Sequence, residues 1–280
     1  MSKLRWPAFT HASKAFDYPG EKLATNWAAL HAGDQEPFPS ETHVGKLLKA
    51  NQKLGKDASR ISAVLRDAWR AFHRGDFEEA HTLGTGLGPI GAPVANKAMG
   101  IHAAHLVASD KEKLSRYELV AQRADEARDV LPQVANSHYF RAFALGRYSQ
   151  LLSIPQALAQ GIAKKVKDSL DETLKLAPKH AEAHLAMALY HAEIVGKIGA
   201  TLASLTYGAK AATAEKHLET AMKLLPDAPI VHLEHGNLLL VLYGDKREDQ
   251  AALAYAKAAK LKPRDAMEYL DAAHARAQIE

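Results

Sequence analysis

Cysteine is absent from the 280-residue chain. Its absence excludes disulfides, thiolate nucleophiles, cysteine-ligated zinc sites and lipidation through an N-terminal cysteine. Long apolar runs are also missing, because the most apolar stretch, residues 238–243, is far too short to span a bilayer. Residues 1–7 lead into polar sequence without the apolar core of a secretory signal. We therefore expect a cytoplasmic protein with no membrane span.

Neither sign of charge dominates the sequence. The chain carries 36 basic and 32 acidic residues, a net charge of +4, and the two signs are interspersed. Such mixing is typical of solvated helix faces rather than of a basic stripe that follows nucleic acid. We therefore predict no nucleic-acid partner.

The motifs of common catalytic classes are also missing. The chain has no GxSxG nucleophile turn and no HExxH zinc motif. The glycine-rich stretch 84–93 lacks the Lys-Ser/Thr ending of a phosphate cradle, so we interpret it as an irregular loop before a helix over 94–108. Paired acids such as Glu78 and Glu79 stand at helix starts, where the helix dipole accounts for them. We predict neither enzyme activity nor a cofactor.

What the sequence does contain is a repeat. Ala, Leu, Lys and Glu dominate from Ser59 onward without strand-like alternation, so the chain is predicted to be all-α. Four helical stretches end in a similar phrase, closed by Pro132, Pro178, Pro226 and Pro263. The spacings are 178 − 132 = 46, 226 − 178 = 48 and 263 − 226 = 37 residues, which define an internal repeat. Because proline disfavours helix continuation, each copy marks a boundary between hairpins.

The clearest hairpin begins with a helix over 62–74, whose apolar residues form a wide stripe at helical spacing. Gly75 is expected to end this helix, Asp76 to cap the next one, and Glu79 to complete a capping-box-like start. The phrase Arg-Gly-Asp-Phe-Glu-Glu-Ala over 74–80 resembles the turn of a tetratricopeptide repeat (TPR), a helical hairpin with a period of about 34 residues. The resemblance implies a right-handed α-solenoid of about five helix-turn-helix hairpins.

Three later hairpins carry a histidine at matching positions, His138, His184 and His232. Two of these hairpins contain an insertion between their helices, residues 149–162 and 196–208, with room for an extra turn or short helix. The pattern is similar to the extended repeats of the regulator-of-microtubule-dynamics and TRAP-transporter-associated proteins. The segments 139–150 and 205–209 also resemble uncharacterised bacterial TPR proteins.

Residues 1–57 differ in composition from the repeats. They contain four spaced prolines and six aromatic residues, and the prolines leave room only for short helices over 21–32 and 42–54. We predict an N-terminal arm (1–57) that caps a TPR-like repeat domain (58–280). The alternative is that the arm lies in the solenoid groove and regulates access to it.

The TPR resemblance implies that the first helix of each pair lines a concave groove. The side chains at the groove-facing positions form an aromatic, largely apolar trough, as in peptide interfaces. Some TPR domains bind the C-terminal carboxylate of a chaperone through lysine and asparagine residues on successive first helices. This sequence does not have that set of residues. We predict a non-enzymatic scaffold or adaptor that binds a peptide or partner protein through Trp69, Phe72, His73, Tyr139, Phe143, Arg147, Leu189, Glu193 and Asn237.

The second hypothesis is a pocket for a small molecule or metal at the two insertions, lined by Tyr148, Gln150, His191, Lys197 and Tyr207. Helical histidine pairs such as His180 and His184 can bind metal. The recurrence of histidine at equivalent repeat positions instead indicates an inherited packing residue, so no metal site is predicted.

Overall fold

The protein is all-helical. The structure, a computed structural model, describes residues 4–11 and 14–280. These residues form fifteen α-helices and no β-strand, which confirms the predicted all-α class. Residues 1–3 and 12–13, which belong to the predicted arm, lie outside the described part of the chain. The helices are divided between two compact units.

The first unit contains the described residues up to His31 and the segment Glu36–Leu151. Two short arm helices come first, close to their predicted ranges, and pairs of longer helices follow. The helices of this unit are α1 (Glu21–Leu30), α2 (Glu41–Ala50), α3 (Ala58–Arg74), α4 (Phe77–Gly86), α5 (Ala92–Leu106), α6 (Asp110–Val130) and α7 (Ala135–Gln150).

The hairpin of α3 and α4 shows how the local sequence sets the helix ends. Helix α3 starts four residues before its predicted start, because the Asp57 side chain accepts the Arg60 backbone N–H and caps it. Gly75 ends the helix in the left-handed conformation, φ 94°, as predicted. Asp76 occupies the N-cap position of α4, but its carboxylate accepts from Arg74 Nε at 2.6 Å instead of capping. The predicted capping box at this turn is therefore wrong.

The glycine-rich stretch 84–93 is a tight helix-to-helix junction, so its interpretation as an irregular loop is also wrong. Helix α4 continues through Gly86, a 3-10 turn covers Gly88–Gly91, and α5 begins at Ala92. A Cβ atom on Gly91 would lie 2.0 Å from the carbonyl oxygen of Gly84. The glycines are needed because the two backbones approach too closely for any side chain.

The second unit contains Leu152–Glu280 and the arm segment Ala32–Gln35. The arm segment is tied to this unit by a hydrogen bond of 3.0 Å from the Glu182 backbone N–H to the Gly33 carbonyl. The helices of this unit are α8 (Ile154–Ala159), α9 (Ile162–Leu176), α10 (Ala181–Ile198), α11 (Ala200–Tyr207), α12 (Ala211–Leu224), α13 (Pro229–Tyr243), α14 (Glu248–Lys260) and α15 (Ala266–Ala277).

Helices pack against one another within each unit, among them α3 with α4, α5 with α6, α10 with α12, and α13 with α14. The long helices on either side of the first insertion, α7 and α9, belong to different units. Each insertion contains a short helix, α8 in the first and α11 in the second. In the part of the chain that the structure describes, no helix is long and apolar enough to cross a membrane.

The repeated histidines and the repeated prolines are bonded to one another. His138 Nε2 lies 2.9 Å from the carbonyl oxygen of Pro132. The same bond joins His184 to Pro178 at 3.0 Å and His232 to Pro226 at 2.7 Å. In each case a histidine in the first turn of a new helix reaches back to the proline that closed the previous one.

The close approach of α5 and α7 gives a test of the packing. A Cβ atom on Gly100 would lie 2.5 Å from the Phe143 ring, whereas nothing lies within 4 Å of a Cβ on Gly146. We expect Gly100→Ala to lower the free energy of unfolding by about 1–3 kcal/mol through overpacking. Gly146→Ala should raise it by about 0.5–1 kcal/mol, because alanine favours helix. Urea denaturation of both variants checks this, and equal effects would contradict the packing described.

Candidate functional site

The first three predicted groove residues are buried, and the arm packs against two of them, Trp69 and His73. Trp69, Phe72 and His73 are each no more than 1% exposed. The Trp27 ring of α1 meets the Trp69 ring edge-on, with 5.9 Å between centroids, and the His31 ring lies 4.5 Å from it. Because these side chains are buried, a partner reaches them only if the residues packed on them move away. Their role in a binding groove stays a prediction.

The three predicted residues on α7 remain together on one helix, with different exposure. Tyr139 is buried, whereas Phe143 and Arg147 are half-buried. The Arg147 guanidinium carbon lies 5.9 Å from the centre of the Phe143 ring. The same ring packs against Gly100 and, at 6.4 Å between centroids, against Tyr117. We call the half-exposed pair Phe143 and Arg147 the α7 strip.

The remaining predicted groove residues lie in the second unit and are half-buried. Glu193 accepts from Lys197 Nζ at 3.2 Å. The Asn237 amide donates to Glu234 at 2.8 Å and accepts from the Tyr255 hydroxyl at 2.8 Å. The Asn237 side chain therefore ties α13 to α14, and this packing role was not predicted.

The residues predicted for the alternative pocket do not gather in one unit. Tyr148 and Gln150 belong to the first unit, whereas His191, Lys197 and Tyr207 belong to the second. The Tyr148 hydroxyl donates to Glu118 at 3.1 Å. His191 Nδ1 accepts from the Lys210 backbone N–H at 3.3 Å, which fastens the end of the second insertion to α10.

The histidines of α10 have mainly backbone partners. His180 caps the helix by accepting from the Ala183 N–H at 3.0 Å. His184 Nε2 lies 3.0 Å from the Pro178 carbonyl oxygen, and its Nδ1 lies 2.9 Å from His217 Nδ1. Across residues 4–11 and 14–280 there is no group of three histidine, aspartate or glutamate side chains placed to hold a metal ion.

A cluster of aromatic and charged groups in the first unit surrounds Trp6. The centre of its ring system lies 4.6 Å from the His102 ring, 5.1 Å from the His81 ring and 4.7 Å from the Arg116 guanidinium carbon. These three side chains come from α5, α4 and α6, and Arg116 is fully buried. We call Trp6 with His81, His102 and Arg116 the Trp6 site.

The imidazoles of the Trp6 site are neutral at physiological pH. Burial lowers the pKa of His81 to about 4, and the cations Arg123 and Arg116 act in the same direction. Burial also lowers the pKa of His102 to about 4, with Arg116 adding to the effect and the bond to the Pro7 carbonyl opposing it. Neutral His102 can therefore donate through Nε2 while its Nδ1 accepts from Arg116 at 3.2 Å.

The Trp6 site was not predicted from the sequence. Its contacts join residues up to 111 positions apart, as in the bond from Arg116 to the Arg5 carbonyl. The available signals were the aromatic content of the arm and the histidines of α4 and α5, and none of them indicates a pairing.

Comparison with known proteins supports the fold and goes no further. The chain is similar to the crystal structure of a thermophilic TPR protein from Thermus thermophilus, with a TM-score of 0.53 and 18% sequence identity. The match covers 78% of this chain and 99% of that chain. No family model and no curated protein matches the sequence. The predicted TPR-like fold is thus confirmed, and the match does not identify a partner.

The neutral histidines predict how stability depends on pH. Burial lowers the pKa of His217 to about 4, as it does for His81 and His102. Between pH 6.5 and 4 the unfolded chain binds protons that the folded chain does not. The free energy of unfolding should therefore decrease as the pH is lowered through this range. Glu268, whose pKa burial raises, acts in the opposite direction.

Urea midpoints measured at pH 7, 6 and 5 test this expectation while most carboxyl groups stay ionised. The midpoint should decrease at each step, and His81→Asn should show a shallower decrease because it removes one of the titrating groups. A midpoint that is constant or rises towards pH 5 would contradict the neutral state of these histidines.

Proposed function

We propose that the protein is a non-enzymatic interaction scaffold that receives a peptide segment of a partner protein on the α7 strip. Its TPR-like fold is of a kind that presents stacked helices for protein interaction. The observation that supports the location is the half-exposed Phe143 ring beneath the Arg147 guanidinium. Aromatic and arginine side chains are the residue types that dominate peptide interfaces.

The surroundings of the strip suit an apolar, acidic segment. The Phe143 ring packs against Gly100 and Tyr117, so its half-exposed surface is held in place for an apolar side chain. Nothing lies within 4 Å of the place that a Cβ on Gly146 would occupy, so the surface beside Arg147 is open. A carboxylate placed there would pair with the guanidinium, whose fork geometry matches a carboxylate.

The other predicted groove residues belong to the second unit and are not part of the α7 strip. Leu189 and Glu193 are half-exposed on α10 and remain candidates for a contact of that unit with a partner. Asn237 is a further candidate on α13, although its amide already bonds to Glu234 and Tyr255.

Charge reversal at Arg147 tests the proposal. A library of displayed peptides is selected on the wild-type protein, and the Kd of each retained peptide is measured by fluorescence anisotropy. Arg147→Glu should weaken acidic, apolar peptides at least tenfold, because it replaces an ion pair with a repulsion. The control is Arg60→Glu, which makes the same charge change at an exposed position in the first turn of α3.

Arg60→Glu should leave the Kd unchanged. The proposal fails if both charge reversals weaken the peptides equally, or if neither does, since binding would then depend on net charge or on another surface.

A further inference from the structure

Residues 4–11 have no helical or strand structure and are held by side chains of the repeat helices. Two of their backbone carbonyls accept hydrogen bonds. Arg116 donates to the Arg5 carbonyl, and His102 Nε2 lies 3.0 Å from the Pro7 carbonyl. Side-chain donors that satisfy the backbone of an extended segment are a general means of peptide recognition.

The residue between the two bonded carbonyls supplies the side-chain anchor. Trp6 lies among two imidazoles and a guanidinium, at ring-centre distances of 4.6 to 5.1 Å. A cation over an indole ring is the strongest of the cation–π pairs available to proteins. Three residues further on, the Phe9 ring meets Phe77 of α4 edge-on at 6.4 Å, which provides a second aromatic contact.

The side chains around Trp6 are positioned by contacts among the repeat helices themselves. Arg116 bonds to Glu112 at 2.9 Å and to His102 Nδ1 at 3.2 Å. Arg123 bonds to His81 at 3.0 Å and to Asn96 at 2.9 Å. These four bonds do not involve the arm, so the repeat helices themselves hold the side chains of the site.

The arm does not use every donor of the site. The Nε of Arg116, a side chain with no exposed surface, has no hydrogen-bond partner among the described residues. The same is true of Asn96 Nδ2, which is also fully buried. Buried donors without partners are costly, and they mark a site at which a further acceptor would be stabilising.

We propose that the Trp6 site is a recognition site for an extended segment of a partner protein. The segment carries a tryptophan followed by proline, with a second aromatic residue three positions after the tryptophan. Residues 4–9 of the chain are the resident occupant and show the chemistry that the site accepts. The partner's segment displaces them and binds through the same two carbonyl bonds and the same aromatic contact.

A tethered occupant has a strong advantage over a free one. Its effective concentration is on the order of millimolar because it belongs to the same chain, so a free peptide competes poorly with it. Weakening the resident segment should therefore expose the site. Trp6→Ala does this at a half-exposed position of the arm and changes no residue of the repeat helices.

The test uses the full-length chain and a fluorescent peptide with the sequence of residues 4–11, Leu-Arg-Trp-Pro-Ala-Phe-Thr-His. The Trp6→Ala protein should bind this peptide at least tenfold more tightly than the wild-type protein. The matched control is Thr10→Ala, an exposed arm position that leaves Trp6 in place and should behave as wild type. A peptide with alanine in place of its tryptophan should not bind the Trp6→Ala protein.

The proposal is overturned if the Trp6→Ala protein keeps its helicity and binds neither peptide. It is also overturned if both peptides bind equally, or if Trp6→Ala unfolds the first unit, because Trp6 would then be a part of the core. The α7 strip uses different residues, so Arg147→Glu should leave binding of the residue 4–11 peptide unchanged. An experiment that contradicts one of the two proposed binding sites therefore leaves the other proposal standing.

Discussion

The hydrogen bond between a repeated histidine and a repeated proline fixes the corners at which one helix pair follows another. Helices α7, α10, α13 and α15 each begin three residues after a proline of the repeat. The proline carbonyl lies at a helix end, where no intrahelical donor is available, and the histidine supplies one at three of the four corners. The fourth corner carries Tyr269 at the equivalent position. At the three corners that have it, this bond ties the first turn of the new helix to the end of the previous one.

The fold was predictable where its signals are local. The proline phrase, the Gly75 cap and the apolar stripe of α3 are each readable within a few residues, and the structure has them as expected. The junction at 84–93 was misjudged because the sequence does not show that Gly84 and Gly91 face one another in space. The division into two units was not foreseen for the same reason, since it depends on contacts between distant residues.

The site was less predictable than the fold, because a site is defined by pairings across the chain. Trp69 and His73 occupy the register that the repeat assigns to a groove, but the arm covers them through Trp27 and His31. The spacing of His180 and His184 is compatible with metal binding, but the recurrence of histidine in the repeat favoured a packing role, and the structure gives both residues backbone partners. For the groove residues, helical periodicity identified the face and could not identify what covers it.

Nitrogen-15 NMR of the histidine side chains at pH 7 tests the account of the corners most directly, because it reads which ring nitrogen carries the proton. The account predicts that His138, His184 and His232 each carry a proton on Nε2 and donate it to the carbonyl of the proline six residues earlier. Rings without a proton on Nε2 would contradict it, since Nε2 would then have nothing to donate.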